Sequence, residues 1–357
     1  MIDTSLAAAN PRDIWDDYRP TGLIELPRLA QLTAVGRVFV KAEGDRPLGN
    51  FKVLGGMVAG LRALARAAGS VTYHDLIKNR DAGGGLPKLI CASDGNHGLA
   101  VAAAARRAGS TAAVYLPIGV SQHRARRIEA FGGEVIWSAG TYDDAVLEAS
   151  AAANRGDGLL IPDTAADPHD SIVHDVMAGY SIMTEELVAQ FRHDAQERPS
   201  HLFIQAGVGG LAAAMAHGLQ GIMQEPNGLV IVEPRSAACV AHALALGRPV
   251  RLLGNLQTSA EMLSCGLASA PALAILRQHN PRSVIVDEKE LENAVTCLRD
   301  SGGPDTTTSG AAGLAGLMHV AASPQLAAEL QLNTDSVVLL VATEGIFSEE
   351  ASQFNFR

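Results

Sequence analysis

One lysine in a crowded setting is the first residue of this chain whose type and surroundings suggest chemistry. Lys52 lies between Phe51 and Val53, and a glycine pair follows within the next four residues. A lysine at a helix start is ordinarily a solvated surface residue, and taken alone Lys52 would belong to that class. Partial burial favours the neutral amine, which is the form that attacks an aldehyde to make an imine.

A second stretch supplies an amide and a carboxylate. It reads Ala92-Ser93-Asp94-Gly95-Asn96-His97-Gly98 and connects an apolar strand to an alanine-rich helix. The Asn96 amide can donate to a ring hydroxyl that lies beside an imine. The alternative is that Asp94 or Asn96 caps the helix, because Asp and Asn are favoured at helix N-caps. The two interpretations are compatible with each other.

A third stretch has the features of a phosphate site. Gly207-Val208-Gly209-Gly210 lies between a predicted strand and the predicted helix 211–219. Glycine backbone amides with no Cβ in the way, together with a helix N-terminus, bind anions. The stretch is not a dinucleotide fingerprint, because Ala212 stands at the third glycine position. A plain tight turn is the alternative.

The three stretches together predict a site for pyridoxal 5'-phosphate (PLP), which needs an imine-forming lysine, a partner for its ring hydroxyl and a cradle for its phosphate. Other catalytic centres are not indicated. The sequence has no His-Glu-x-x-His, and His169 and His174 are spaced five apart, so no metal site is predicted. It also has no Gly-x-Ser-x-Gly, which argues against an α/β-hydrolase nucleophile.

Predicted strands and helices alternate along most of the chain, and they must position these residues. Strands are predicted at 38–42, 88–92, 112–116, 134–137, 158–162, 201–205, 229–233 and 336–341, and helices at 51–67, 99–108, 122–131, 143–154 and 211–219. Apolar strands that alternate with helices are typical of parallel sheets covered by helices, which predicts an α/β fold.

We expect two parallel-sheet domains. Residues 1–85 and 168–357 are predicted to form a larger PLP-binding domain, and residues 86–167 a smaller inserted α/β domain. The glycine-rich stretch 79–87 precedes a strand rather than a helix and is interpreted as a linker. The cofactor is expected in the crevice between the domains, at the carboxyl ends of strands, where open α/β sheets bind ligands.

Composition argues against several classes of partner. The 357 residues carry a formal net charge of -10, which speaks against a nucleic-acid groove or an anionic membrane surface. Four widely separated cysteines with small or apolar neighbours are typical of reduced thiols, so we expect a cytoplasmic protein. No run reaches the roughly 20 apolar residues of a membrane span, and the first residues do not resemble a signal peptide.

The order of lysine, Asn loop and glycine loop resembles the fold-type II PLP enzymes, the tryptophan synthase β superfamily. Within that superfamily, most of the chain is similar to the diaminopropionate ammonia-lyases. The Asp-Gly-Asn-His-Gly form is the most specific shared feature, since threonine and serine dehydratases usually have a small hydroxyl residue in place of Asp94. The other shared stretches are Tyr142-Asp143-Asp144, Asp163-Thr164-Ala165, Met177-Ala178-Gly179-Tyr180, Gln205 to Gly210, Val232-Glu233-Pro234, Gly266-Leu267-Ala268, Ser309-Gly310-Ala311 and Thr343-Glu344-Gly345.

The resemblance implies how the cofactor is held. Lys52 would bind PLP as an imine and also exchange the α-proton of the substrate. Asn96 would bind the ring hydroxyl, and residues 207–210 the phosphate. Thr343 would pair with the pyridine nitrogen and leave it unprotonated, which favours eliminations over long-lived carbanions.

The resemblance also implies substrate contacts. Asp94 would act as a base on the face opposite Lys52, and Asp163 would hold a cationic β-amino group near Tyr142. The alternatives are a strand-end turn for Asp163 and a packed surface aromatic for Tyr142. Asp143 and Asp144 are interpreted as helix-start residues rather than catalysts.

The expected activity is PLP-dependent α,β-elimination on a small amino acid, 2,3-diaminopropionate giving pyruvate and ammonia, by a homodimer. Two departures from the family fall where the substrate should bind: residues 166–172 replace an aromatic and basic motif, and the run before Lys52 is one residue shorter. The open alternatives are a threonine or serine dehydratase, a β-replacement synthase, a PLP- or amino-acid-binding protein without turnover, and an α/β protein that does not bind PLP.

Overall fold

The structure is a computed structural model that describes residues 11, 14–15, 17–70, 72–78, 85–195 and 197–346. The strands are β1 (Leu23–Glu25), β2 (Arg37–Ala42), β3 (Leu89–Ala92), β4 (Ala112–Pro117), β5 (Gly133–Ser138), β6 (Leu159–Leu160), β7 (His201–Gln205), β8 (Gly228–Pro234), β9 (Arg282–Val286) and β10 (Val337–Ala342). The helices are α1 (Pro27–Leu32), α2 (Lys52–Ala67), α3 (Tyr73–Lys78), α4 (Asn96–Ala108), α5 (Gln122–Ala130), α6 (Tyr142–Asn154), α7 (Ser171–Gln190), α8 (Gly210–Leu219), α9 (Cys239–Leu246), α10 (Ala270–Leu276), α11 (Glu288–Asp300), α12 (Thr308–Ala321) and α13 (Pro324–Leu330).

The chain divides into two compact units. Unit 1 takes the described residues within Met1–Arg19 and Lys52–Ile182, and unit 2 those within Pro20–Phe51 and Met183–Ser352. The predicted domains have other limits, 1–85 with 168–357 and 86–167, and their assignment as functional domains stays a prediction. Part of the predicted linker, residues 79–84, and the N-terminal residues considered for a signal peptide lie outside the described residues.

Unit 1 contains a four-stranded parallel sheet in the order β5-β4-β3-β6. Every residue of β3 and β4 is buried, as expected for parallel strands covered on both faces. The apolar side of α6 packs on this sheet through Ala145, Ala149 and Ala152. The buried sheet and its packing against α6 therefore fix the backbone that positions functional side chains at the carboxyl ends of β3 and β6.

Close packing between α2 and α4 explains why α2 belongs to unit 1. A Cβ added at Gly56 would lie 2.5 Å from the Ala100 Cβ, and one at Gly60 would lie 2.8 Å from the Ala104 Cβ. Small residues facing each other at i, i+4 spacing let the two helices approach closely. The catalytic lysine candidate thus stands at the first turn of a helix that is anchored to the Asn-loop helix.

Unit 2 contains a six-stranded sheet in the order β1-β2-β10-β7-β8-β9. The short β1 is antiparallel to β2, and the other neighbouring strands are parallel. Its core includes inward side chains of the central strands, such as Phe203, Val232 and Leu340, and the buried residues of α12. The glycine loop and Thr343 follow two neighbouring central strands, β7 and β10, at the same sheet edge.

The α/β fold and each predicted strand are confirmed, with ends that move by one or two residues. The predicted strand 158–162 is reduced to Leu159–Leu160, and α4 begins at Asn96, three residues before the predicted start. The edge strands β1 and β9 were not predicted. In the described part of the chain, no helix combines the length and the apolar character that crossing a membrane requires.

Candidate functional site

The segment that leads into Lys52 is fixed by backbone hydrogen bonds within unit 2. The Phe51 N–H donates to the Thr343 carbonyl oxygen at 3.0 Å, and the Gly345 N–H donates to the Gly49 carbonyl oxygen at 3.0 Å. Lys52 is the next residue along the chain and the first of α2. The backbone of Thr343 is therefore bound to the residue that precedes the lysine.

A buried ionic cluster supports the same segment, at the residues after β2. Glu186 accepts from Lys41 Nζ at 2.6 Å and from Arg46 Nη1 at 2.7 Å, and Glu43 accepts from Arg46 Nε at 3.0 Å. Burial lowers the pKa of Lys41, although the nearby carboxylates oppose this shift. Burial would raise the pKa of Glu186, but Arg46 and Lys41 outweigh it and leave that pKa below its ordinary value.

The structure brings Lys52, Asp163 and Tyr142 together. The Lys52 Nζ donates to Asp163 Oδ2, and the Tyr142 hydroxyl donates to Asp163 Oδ1 at 2.6 Å. Lys52 retains 20% of its side-chain exposure and Asp163 retains 8%, so the pair is largely removed from water. Asp163 is not merely a strand-end turn and Tyr142 is not merely a surface aromatic, because both take part in this contact.

Local capping fixes the position of Tyr142. Thr141 is the N-cap of α6, its side chain accepts from the Asp144 N–H, and the Asp144 carboxylate accepts from the Thr141 N–H. This reciprocal capping box sets the first turn of the helix. The interpretation of Asp144 as a helix-start residue is confirmed, and Tyr142, as first residue of the helix, takes a defined direction.

Asp163 is an ionised carboxylate in a setting that would otherwise favour its neutral form. Burial alone would raise its pKa. The charges of Lys52 and His97 and the hydrogen bonds from Lys52 and Tyr142 outweigh burial, and the pKa of Asp163 lies well below its ordinary value. The side chain can therefore bind a cation at any pH near neutrality.

The Asn loop starts α4 in a way that the sequence did not reveal. Gly95 is the N-cap, with φ of 132°, and no side chain caps the helix from that position. Instead the Ser93 hydroxyl accepts from the Gly95 and Gly98 N–H groups, each at 2.8 Å. The expectation that Asp94 or Asn96 caps the helix is wrong, since Asn96 is the first helical residue. Asn96 is buried and Asp94 is half-buried.

His97 links the Asn loop to the strand that precedes Asp163. Its Nε2 lies 2.8 Å from the Ile161 carbonyl oxygen, which only accepts, so Nε2 carries the hydrogen. Burial, together with the charge of Lys52, lowers the pKa of His97, although Asp163 opposes the shift. The position of His97 within the motif was the only sequence signal for this role.

Tyr180 is a further aromatic residue of this region that the sequence identified only as part of a shared stretch. A Cβ added at Gly55 would lie 2.5 Å from Tyr180 Cε1, so the ring packs directly on the first turns of α2. Burial raises the pKa of Tyr180 to about 12, with Asp163 adding to the shift and Lys52 opposing it. The hydroxyl therefore keeps its proton at neutral pH.

The glycine loop of unit 2 has the geometry of an anion site. Gly209 is the N-cap of α8, with φ of 98°, and no side chain caps that helix. A Cβ added at Gly207 would lie 3.2 Å from the Met262 carbonyl oxygen and 3.2 Å from Cys265 Sγ. The loop therefore needs glycine at these positions, and an uncapped helix N-terminus beside it fits a phosphate group.

Gln205 connects this loop to Thr343, and the sequence analysis named it only as the first residue of a shared stretch. Its amide nitrogen donates to Thr343 Oγ1 at 3.2 Å, and it also lies close to the carbonyl oxygens of Ser309, Gly310 and Val341. Because an amide N–H can only donate, the Thr343 hydroxyl accepts here and retains its own proton to donate elsewhere. The only sequence signal was a polar residue that ends an apolar strand.

Within each unit, the donor groups are of the kinds that PLP needs. The Lys52 amine can form an imine, the Thr343 hydroxyl proton suits an unprotonated ring nitrogen, and the glycine loop suits a phosphate. Within the described ranges, no group of three or more His, Cys, Asp or Glu side chains is arranged to hold a metal ion. The cysteines 91, 239, 265 and 297 are free thiols.

A cavity of about 240 Å³ lies in unit 1 beside Asp163. Tyr142 and Asp163 form part of its lining, and the rest is mainly apolar, including Val146 and Leu160. It is bounded by α6, by the last residues of β3 and β6, and by residues that follow β6. The carboxyl ends of parallel strands are the usual place for ligands in such sheets.

Known proteins are similar to this chain in sequence and in fold. The curated diaminopropionate ammonia-lyase of Escherichia coli (strain K12) is 33% identical over 347 residues, covering 92% of this chain and 85% of its own. A crystal structure of the Escherichia coli enzyme with an aminoacrylate-PLP azomethine reaction intermediate has a TM-score of 0.83 and 30% identity, over 96% of this chain and 88% of that one. The same enzyme in complex with D-serine gives a TM-score of 0.84, 30% identity, and 96% and 89% coverage.

One protein-family model matches this chain, and its description fits the chemistry of these groups. Residues 14–344 match the model described as "Pyridoxal-phosphate dependent enzyme", which is most of the chain. The match extends from before β1 to beyond Thr343 and includes every candidate site residue. This chain belongs to the pyridoxal-phosphate dependent enzyme family.

Proposed function

We propose that this protein uses PLP to eliminate the β-amino group of 2,3-diaminopropionate, giving pyruvate and two molecules of ammonia. The observation that carries this proposal is Asp163, a buried and ionised carboxylate in contact with Lys52 and Tyr142. Such a carboxylate suits a cationic β-ammonium group better than the neutral hydroxyl of serine. The similarity to the Escherichia coli diaminopropionate ammonia-lyase supports the same substrate.

The cofactor would be held by the residues that the sequence indicated. Lys52 binds the aldehyde carbon, Asn96 the ring hydroxyl, residues 207–210 the phosphate and Thr343 the pyridine nitrogen. When bound, PLP withdraws electrons from the α-carbon of the amino acid and so makes its hydrogen acidic. A neutral hydroxyl at position 343, oriented by Gln205, fits an unprotonated ring nitrogen.

Lys52 and Asp94 are the proposed bases. The Lys52 amine removes the α-proton on one face of the substrate, and the Asp94 carboxylate serves the opposite face, so that both α-configurations react. The electron pair of the Cα–H bond forms a double bond to Cβ, and the Cβ–N bond breaks. The β-ammonium group departs as ammonia with the electrons of that bond. The remaining enamine takes up water and gives pyruvate and the second ammonia.

Asp163 is proposed to bind the β-nitrogen and to keep it protonated until it leaves. An ammonium is a better leaving group than a neutral amine, because the nitrogen departs uncharged. The pKa of Asp163 lies well below its ordinary value, so the carboxylate acts as an electrostatic partner and does not donate a proton itself. Tyr142 orients it by donating to the oxygen that Lys52 does not contact.

The direct test is keto-acid release by the purified enzyme from the D- and L-forms of three compounds: pyruvate from 2,3-diaminopropionate and from serine, and 2-oxobutanoate from threonine. We expect kcat/KM for 2,3-diaminopropionate to exceed that for serine and threonine. Pyruvate from serine but none from 2,3-diaminopropionate would favour a dehydratase and refute the proposal. A protein that binds PLP but releases no keto acid from any of these compounds would be a binding protein.

The assignment of Asp94 as a base distinguishes an ammonia-lyase from a threonine or serine dehydratase. Replacing Asp94 by Ser introduces the small hydroxyl residue of a dehydratase loop. We expect Asp94→Ser to lower kcat/KM roughly 100-fold or more for one stereoisomer of 2,3-diaminopropionate and to spare the other, as a lost general base does. Equal losses for both stereoisomers would contradict a base that serves one face.

We also propose that the enzyme works as a homodimer in the cytoplasm. The buried and half-buried free thiols support a reducing compartment. An interface would cover apolar side chains such as Leu253, which is 94% exposed in the single chain. Light scattering coupled to size-exclusion chromatography should give twice the mass of the chain, and the mass of one chain would contradict the dimer.

A further inference from the structure

We propose that the cavity beside Asp163 accepts β-amino groups that carry an alkyl chain, so that the substrates include N3-alkyl derivatives of 2,3-diaminopropionate. This inference rests on the proposed function and extends it from one compound to a class. The juxtaposition of a cation-binding carboxylate with an adjoining apolar cavity carries it.

The cavity adjoins the carboxylate that is proposed to bind the β-nitrogen of the substrate. Tyr142 and Asp163 both line the cavity, and they are joined by the hydrogen bond from the Tyr142 hydroxyl to Asp163 Oδ1. Lys52 contacts the other oxygen, Oδ2. A cation held by this carboxylate therefore lies at the edge of the cavity, and a substituent on that cation has space to extend into it.

The volume exceeds what an ammonium group needs. A cavity of about 150 Å³ is enough to hold benzene in another protein, and one water takes about 30 Å³ of liquid. The cavity here has about 240 Å³, which leaves room for an alkyl chain of several carbons after the nitrogen is placed. Ala165 and Ala166 contribute only small side chains to its lining.

The chemistry of the walls favours a hydrocarbon. Val146 and Ala149 line it from α6, and Leu160 and Pro162 line it from the end of β6 and the residues that follow. Burying an alkyl chain against such walls is favourable, at roughly fourfold in affinity for each methylene. Asp170, Thr164 and Ser150 add polar groups to the lining. The carboxylates of Asp163 and Asp170 and the apolar side chains together match an alkylammonium ion.

The reaction balances without a further reactant. The α-hydrogen is removed as a proton, the bond between Cβ and the substituted nitrogen breaks, and the alkylammonium group departs as the neutral alkylamine with the bonding electrons. Water then converts the enamine to pyruvate and ammonia. Nothing is oxidised or reduced overall, and the alkylamine takes the place of one ammonia among the products.

The first experiment compares 2,3-diaminopropionate with its N3-methyl and N3-propyl derivatives, with pyruvate and the released amine both measured. We expect kcat/KM for the N3-propyl compound to lie within tenfold of that for the parent. A fall of more than tenfold would overturn the inference. If the parent itself gives no pyruvate, the proposed function fails, and the binding experiment below decides the cavity separately.

A matched pair of variants tests whether this cavity is responsible. Ser150 is half-buried and lines the cavity, and its hydroxyl donates to the Val146 carbonyl oxygen of the same helix. The next residue, Ala151, is exposed and serves as the control position. We expect Ser150→Leu to lower the ratio of kcat/KM for the N3-propyl compound to that for the parent at least tenfold. Ala151→Leu should leave this ratio unchanged. An unchanged ratio in a folded Ser150→Leu enzyme would contradict the inference. If Ser150→Leu does not fold, the variant Val146→Phe is used in its place.

Binding of simple amines gives a readout that does not depend on turnover. Isothermal titration of the PLP-loaded enzyme with methylammonium and propylammonium chloride measures the two dissociation constants. We expect propylammonium to bind about 16-fold more tightly, because two further methylenes are buried at roughly fourfold each, and Ser150→Leu to abolish the difference. Equal affinities in the wild-type enzyme would overturn the inference even if 2,3-diaminopropionate is turned over.

Discussion

At the scale of single residues, burial and neighbouring charges shift the pKa of Asp163 in opposite directions. Burial would make the carboxyl neutral, and the cations and donors around it keep it ionised. Because the pKa is lowered, the favourable interaction is present above the ordinary pKa of the group. It is lost only as the pH falls through the depressed value, far below the range in which enzymes are assayed.

Replacing Asp163 by Asn tests this charge. The amide keeps the shape and a hydrogen-bond acceptor for Tyr142 but cannot attract a β-ammonium group. We expect kcat/KM for 2,3-diaminopropionate to fall roughly 100-fold, and more steeply than kcat/KM for serine. Asp167→Asn removes an exposed carboxylate four residues away and serves as the control. Equal losses for both substrates would show that Asp163 does not recognise the β-nitrogen.

Thr343 offers a second test at this scale. Thr343→Val keeps the shape and removes the hydroxyl, whereas Thr343→Ser keeps the hydroxyl. A neutral hydrogen bond contributes about 1 kcal/mol, so we expect PLP to bind the Val variant roughly fivefold more weakly and the Ser variant almost as well as wild type. Absorbance titration of the apoenzyme with PLP measures this, and equal affinity in the Val variant would contradict the assigned contact.

The residues with the clearest chemistry could be predicted from the sequence, and their partners could not. Lys52 stood out by type and context, and Tyr142 and Asp163 by the resemblance to the diaminopropionate ammonia-lyases; the structure brings the three together. Gln205 and His97 act through bonds to residues more than 60 positions away. A single sequence contains no signal for such pairings, which depend on the order of strands in the finished sheets.

At the scale of elements, a buried carboxylate of β8 with a raised pKa accepts hydrogen bonds from the first turn of α9. Glu233 accepts from the Val240 and Ala241 N–H groups, each at 2.7 Å. Burial raises its pKa to about 8, although these two bonds oppose the shift. The neighbouring Cys239 donates from its thiol to the Gly207 carbonyl oxygen, so this turn adjoins the glycine loop.

The raised pKa of Glu233 predicts a pH-dependent stability. A folded pKa of about 8 lies above the unfolded value of about 4.3, so the protonated group stabilises the fold fully below about pH 4. This contribution is lost as the pH rises through 8, at up to about 1.4 kcal/mol per pH unit.

Chemical denaturation at several pH values from 5 to 9 measures this slope in the free energy of unfolding. Glu233→Gln should flatten the profile, and Glu292→Gln, at an exposed site of α11, should leave it unchanged. The same slope in Glu233→Gln and in wild type would contradict the assignment.

The central strands of both sheets were predictable, whereas two edge strands were missed. The interior strands form continuous apolar runs, which the sequence displays directly. The edge strands β1 and β9 are short and partly exposed, so their periodicity is weak. The early start of α4 depends on the positive φ of Gly95 and on Ser93, and no periodicity reveals either.

At the scale of the whole molecule, buried charge holds distant parts of unit 2 together. Glu186, from the second half of α7, joins Lys41 of β2 to Arg46 in the segment before Lys52. Removing one partner of a buried ionic cluster leaves an uncompensated charge, which costs about 3–5 kcal/mol. We expect this loss in the free energy of unfolding for Glu186→Ala, measured by urea denaturation. The neighbouring Glu185 is exposed, so Glu185→Ala should change stability little, and equal effects would contradict a special role for the cluster.

The compact units of the structure have other limits than the predicted domains, whose assignment stays a prediction. The glycine-rich stretch suggested a boundary near residue 85, whereas the compact units divide at Lys52 and after Ile182. The cause is the contact of Gly56 and Gly60 with α4, which ties α2 to unit 1. Glycines that permit helix packing and glycines that form linkers are indistinguishable in one sequence.

The central claim is that Lys52 carries the cofactor, and chemical trapping tests it most directly. Borohydride reduction of the PLP-loaded enzyme fixes an imine as a stable secondary amine, which peptide mass analysis then locates. We predict the reduced pyridoxyl group on the peptide that contains Lys52, and no stable adduct in Lys52→Ala. Finding Lys52 unmodified while the cofactor is fully bound would contradict the account.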